Sequence, residues 1–160
     1  METIRGEDWY GRDIDGVEFD GTEFVDVDMT ELRSTGATFT GCTFRSVRFN
    51  VGEHTDSAFV NCTFIGCNFF DATFLRCKLT GSSFTGCDFA LLKVEGGNWS
   101  FVDLGRAELR GAQFTGVRLR EADLGRAHCQ EAVFSGCDLP AIYESCVAGS
   151  CSRDAMASTF

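Results

Sequence analysis

Apolar residues recur along this chain every five positions, a spacing that belongs neither to a 3.6-residue helix nor to a two-residue strand. From Ile14 to Leu139 the register runs without a slip, and of its 26 positions only Ser34 and His54 are polar. It collects 13 of the 16 phenylalanines. Two residues before each large residue stands a second, mostly small one, as at Val17, Ala37, Cys42, Cys62, Cys67 and Ala72. The other three positions of each five are polar or glycine for the most part. One large and one small inward side chain in five describes a chain that turns a corner every five residues and buries two side chains on each side.

Sizes within a side compensate. Leu32 precedes Ser34 and Leu92 precedes Val94, whereas Gly52 precedes His54 and Gly97 precedes Trp99, as a roughly constant internal volume requires. Ser34, His54 and Val94 differ by multiples of 20 and therefore share one side, where a bulge or kink is expected over residues 51–56. A catalytic or metal-binding His54 is the sharper reading; a partly buried, hydrogen-bonded histidine is the plainer one.

The repeat is clearest in Ala107-Glu108-Leu109, Ala112-Gln113-Phe114 and Ala122-Asp123-Leu124, with the variants Cys62-Thr63-Phe64 and Cys87-Asp88-Phe89. These units resemble the A-(D/N)-L-x-x pattern of the pentapeptide repeat family and its phenylalanine-rich forms. The resemblance implies an all-β fold, a right-handed quadrilateral β-helix with four five-residue sides per coil. At the strand spacing of parallel sheets, residues 14–139 then make about six coils and a rod about 30 Å long. The reading assigns residues 1–139 to this solenoid, with 1–13 as an N-terminal cap in which Trp9 and Tyr10 form a lid. Residues 140–160 follow as a C-terminal cap or tail, where Pro140 stops the pattern and 141–146 suit a short helix. C-terminal elements in relatives often make dimers, so Ile142 and Tyr143 are the candidate residues of a homodimer through that end.

A hydrophobic content of 44% supports one continuous core. Seven of the nine cysteines fall on inward positions and read as reduced core residues, since their number is odd and no signal peptide precedes them. The net charge of -10 argues against direct contact with nucleic acid or an anionic membrane. No apolar run approaches the roughly 20 residues of a membrane span, and a cytoplasmic protein is expected. No cofactor motif and no metal-spaced cluster is present, and the repeat sets no base beside a serine or cysteine; neither an enzyme nor a cofactor is expected.

Charge is unevenly placed. Residues 1–31 hold eleven acids against Arg5 and Arg12, while the remaining 129 residues hold 13 acids and 12 bases. Asp13, Glu18, Glu23 and Asp28 each precede a corner on a different side, which with Asp15, Asp20 and Asp26 makes an acidic collar at one end. Val60, Ile65, Phe70 and Leu75 each follow a large inward residue and are expected to form an apolar belt round one coil, with Phe70 and Leu75 as partner contacts and Leu91 and Phe101 nearby. Acidic, phenylalanine-rich members of the family, the MfpA and Qnr types, act on DNA gyrase. The resemblance thus implies a type II topoisomerase as partner, DNA gyrase foremost, bound by imitation of duplex DNA through the collar. The alternative is a structural or regulatory module that holds an unrelated protein.

Overall fold

The computed structural model describes residues 2–138, which form one parallel β-solenoid of about seven coils. Each coil takes 20 residues and four sides. Side one carries Ile4, Phe24, Phe44, Phe64, Phe84, Leu104 and Leu124 inward, and side two carries Trp9, Met29, Phe49, Phe69, Phe89, Leu109 and Cys129. Side three has Ile14, Ser34, His54, Phe74, Val94, Phe114 and Phe134; side four has Phe19, Phe39, Phe59, Leu79, Trp99 and Leu119. Every pairing between coils joins residues 20 apart, as in Phe24 with Phe44 and Phe44 with Phe64.

Side-chain chemistry decides how each side is built. Where the residue before the large one is threonine, serine or glutamate, the side tends to form a three-residue strand, as at Thr43–Arg45, Thr63–Ile65 and Ser83–Thr85. Side two is made of single bridges, and there Asp8, Asp28, Asn68 and Asp88 accept the backbone N–H two residues on, at 2.9, 3.0, 2.8 and 2.9 Å. That local bond replaces the strand with a turn.

The coil spacing also sets the core. Phe24, Phe44, Phe64 and Phe84 stack almost parallel with centroids 4.8, 4.8 and 4.6 Å apart. Phe49, Phe69 and Phe89 do the same at 4.7 and 4.9 Å. Neighbouring stacks meet edge to face, as Phe44 and Phe49 do at 5.4 Å. The small series adds a second ladder. The thiols of Cys62, Cys67 and Cys77 donate to the carbonyls of Phe39, Phe44 and His54 at 3.3, 3.3 and 3.2 Å. Ser82 makes the same bond to Phe59 at 2.7 Å. Burial pushes the Cys77 thiol up to about 11, so it remains protonated at neutral pH.

Two local expectations change. Residues 3–13 extend the solenoid as its first coil, because Thr3–Arg5 pairs in register with Glu23–Val25 and Asp8 bridges to Asp28. The charged residues at its small inward positions turn outward round Trp9: the indole N–H donates to Glu7 at 2.8 Å, and the Arg12 guanidinium lies 4.9 Å over the ring. Trp9 still closes part of the end by packing on Phe19 and Phe24, whereas Tyr10 is exposed. The expected bulge at 51–56 is absent, since Glu53–Thr55 pairs in register with Arg33–Thr35 on one flank and Thr73–Leu75 on the other. Gly52 gives the His54 ring its space without bending the strand: a Cβ there would lie 3.1 Å from the Leu32 carbonyl oxygen and 3.4 Å from His54 Nε2.

At each corner the second residue after the large one has a left-handed backbone. Glycine holds about half of these positions, but Val51 sits at φ 60. A β-branched residue there costs on the order of 1–2 kcal/mol. Replacing Val51 by glycine is therefore expected to raise stability by about 1 kcal/mol, or about 2–4 °C in melting temperature. An unchanged or lower melting point would show that the valine side chain returns what the backbone loses.

Candidate interaction surface

The first two coils present the acids. Asp13, Asp15, Glu18 and Asp20 are exposed along sides three and four of the first coil, and Asp26 is exposed at a corner of the second. None of these five has an ion pair among the described residues. Glu23 and Asp28 differ, being half-buried and tied to the next coil by Arg45 at 2.9 Å and Arg48 at 3.8 Å. Hydrogen bonding from Thr30, helped by the Arg48 charge, holds the Asp28 carboxyl below the usual carboxylate range. The unpaired acids thus face mainly two sides of the rod, and the other two sides of the collar are partly neutralised.

The apolar surface is also redistributed. Val60, Ile65 and Leu75 are half-buried, so the expected belt is not continuous. Phe70 is 40% exposed and shares the corner between sides two and three with Val51 (44%) and Leu91 (46%), one coil to either side. Those three make a ridge along the rod instead of a ring round it. Phe101 is 62% exposed on the corner between sides four and one. Val51 and Leu91 stand 20 residues to either side of Asp71, the residue after Phe70, and so flank Phe70 on the same corner. Ile142 and Tyr143, the remainder of segment 140–160, and a homodimer through it lie outside the described residues.

The later coils carry a different surface. Asp103-Leu104-Gly105-Arg106 and Asp123-Leu124-Gly125-Arg126 stack at one corner and border a groove of about 460 Å³. Both carboxylates accept the N–H of the glycine two residues on, at 2.9 and 2.8 Å. Among the described residues no group of three or more metal-ligating side chains converges.

His54 is fully buried within side three. Its Nδ1 lies 2.7 Å from Ser34 Oγ, which lies 2.9 Å from Ser57 Oγ. Ser57 accepts the Ala37 N–H at 3.2 Å and donates to the Thr55 carbonyl at 3.1 Å. With that proton committed, Ser34 donates to Ser57 and accepts from His54, which fixes the Nδ1–H tautomer and leaves Nε2 as a buried acceptor without a partner. The geometry is that of a packed polar core element.

A pentapeptide repeat family model matches in eight copies over residues 55–86, 87–126 and 118–140, more than half the sequence. The chain belongs to the pentapeptide repeat family. Among solved structures of pentapeptide repeat proteins, a trypsin-treated variant of QnrB1, a plasmid-mediated fluoroquinolone resistance protein, aligns with a TM-score of 0.58 at 16% identity over 94% of this chain and 90% of that one. Rfr23, from the cyanobacterium Cyanothece 51142, aligns with a TM-score of 0.53 at 11% identity over 78% of this chain and 85% of that one. At such identities the likeness is one of fold. No curated protein matches the chain by sequence.

Proposed function

We propose that this pentapeptide repeat protein is a non-enzymatic, cytoplasmic protein that binds a type II topoisomerase, DNA gyrase foremost, as a mimic of duplex DNA and modulates it or protects it from poisons such as quinolones. The charge density of the first two coils carries the reading. Residues 2–41 have a net charge of -8. Over two coils at the parallel-strand spacing this is about one net charge per 1.2 Å of rod, against about one per 1.7 Å in duplex DNA. Coils three to seven, residues 42–138, carry a net charge of only -1. Mimicry is therefore confined to the N-terminal end, which enters a basic DNA-binding surface while the rest of the rod projects from it. The plasmid-borne resistance function of QnrB1 supports the same partner class.

Purified protein is expected to inhibit gyrase supercoiling at micromolar concentration or to relieve quinolone inhibition, at least tenfold less effectively at about 200 mM than at about 50 mM salt. Reversing Asp13, Glu18 and Asp20 to lysine should reduce the effect at least tenfold. Reversing Glu23 and Asp28, already paired with Arg45 and Arg48, should cost less. A protein without effect on gyrase, or one whose triple reversal retains full potency, would overturn the reading.

A further inference from the structure

Val51, Phe70 and Leu91 project from one corner on three successive coils. Val51 and Leu91 both occupy left-handed corner positions, each with φ 60. Apolar side chains placed in water on a costly backbone conformation add nothing to the core. Such a local conflict marks a surface used for contact.

The flanks of this corner carry a charge checkerboard centred on Phe70. One coil before it stand Arg48 on side two and Glu53 on side three; one coil after it stand Asp88 on side two and Lys93 on side three. On the level of Phe70 itself Asn68 and Thr73 are uncharged, and Asp71, next to Phe70 on the corner, is paired with Lys93 of the following coil.

We propose that this corner pairs with the same corner of a second copy of the chain, the two rods antiparallel and related by a two-fold axis crossing at Phe70. An isologous contact sets each residue against the one equally far beyond the axis. Val51 meets the partner's Leu91, and Phe70 meets the partner's Phe70. Arg48 faces the partner's Asp88, and Glu53 faces the partner's Lys93. Two like-charged meetings are relieved within each chain: Asp71, which faces the partner's Asp71 at the axis, by Lys93, and Asp28, which faces the partner's Glu108, by Arg48 at 3.8 Å, with His128, when protonated, 3.6 Å from Glu108.

The present intrachain pair of Glu53 with Arg33 is exposed and readily exchanged, and Lys93, exposed beside Asp71, meets the partner's Glu53 without leaving Asp71. A groove of about 380 Å³ beside the ridge, bordered by Val51, Glu53, Asp71 and Lys93, receives the opposing side chains. Antiparallel order also keeps the two acidic ends apart, which a parallel pair would press together. Three apolar side chains make a small contact, and the dimer is correspondingly weak.

Sedimentation of the full chain from about 5 to 300 µM should show a reversible monomer–dimer equilibrium with a dissociation constant in the tens of micromolar. Raising salt from about 50 to 500 mM should weaken it several-fold. Phe70→Glu, on the surface of a still folded rod, should weaken it at least tenfold. On an Asp71→Asn background, which removes the charge that Lys93 holds, Glu53→Lys alone should weaken it, and Glu53→Lys with Lys93→Glu should restore it. A monomer at every concentration, or a dimer indifferent to Phe70→Glu, would overturn the interface; failure of the double exchange to restore association would overturn the antiparallel order.

Discussion

Gly97→Ala is expected to cost 3 kcal/mol or more, or about 6–12 °C in melting temperature for a domain of this size. Gly97 is the small inward residue two places before Trp99, the bulkiest fully buried side chain of the core. The indole meets Phe74 at 5.5 Å and Phe114 at 5.7 Å, both edge to face. With the side filled by the indole, the backbone at Gly97 closes on the coil below. A Cβ there would lie 2.2 Å from the Cys77 carbonyl oxygen and 2.8 Å from its nitrogen, at a φ of +85. No rotamer relieves a collision with backbone, so the coil has to shift. The shift strains the bonds from Asn98 N–H to Cys77 at 3.0 Å and from Arg118 N–H to Gly97 at 3.2 Å. Gly86→Ala is the control: its backbone is also left-handed, but nothing lies within 4 Å of the added carbon. It should lose only about 1 kcal/mol. Equal losses in the two variants would show that conformational strain, not the collision, governs both.

The size compensation that exposes Gly97 was legible from the sequence, because Gly97 and Trp99 lie in fixed places of a register that never slips. So was the core, since a five-residue period admits few architectures and the stacking of Phe24, Phe44, Phe64 and Phe84 follows from coils repeating every 20 residues. Exceptions were harder to read. Glu7 and Arg12, charged residues at small inward positions of the segment read as a cap, turn outward to enclose Trp9. The bulge inferred near His54 assumed that a polar core residue must distort its strand, whereas Gly52, Ser34 and Ser57 accommodate the ring within ordinary pairing. Surface features proved least legible. Whether Glu23 is a free carboxylate depends on an arginine 22 residues away, Arg45, and whether Phe70 belongs to a ring or a ridge depends on Val51 and Leu91.

The collar and the ridge therefore divide the rod's surface between them. Repetition makes the core nearly uniform, and identity resides in what interrupts the surface pattern. The unpaired carboxylates of the collar lie at the N-terminal end, and the apolar corner lies mid-rod, two to four coils beyond the first. A protein dimerised at Phe70 in antiparallel order would hold one acidic end at each extremity, so both ends would remain open to a basic partner.

Stability is expected to fall by about 3 kcal/mol between pH 6.5 and pH 4 on account of His54 alone. Burial pulls its folded-state pKa down to about 4, against about 6.5 in the unfolded chain. Above pH 6.5 the ring is neutral in both states and the fold is undisturbed. As the pH falls through that value the unfolded chain takes up a proton that the folded chain refuses, and stability declines by about 1.4 kcal/mol per pH unit until the buried ring protonates near pH 4. The cost is desolvation: Nε2 has no partner, and the ring is enclosed by Phe49, Phe59 and Phe74, with centroids at 6.1, 5.4 and 4.9 Å. His54→Phe should extend the aromatic stack, leave Ser34 bonded to Ser57, and remove this component of the acid sensitivity. Denaturant titrations of both proteins at pH 7.5 and pH 4.5 would measure it, the carboxylates contributing to each alike. If the two lose the same stability on acidification, the histidine is reached by water in solution and its network is looser than the packing shows.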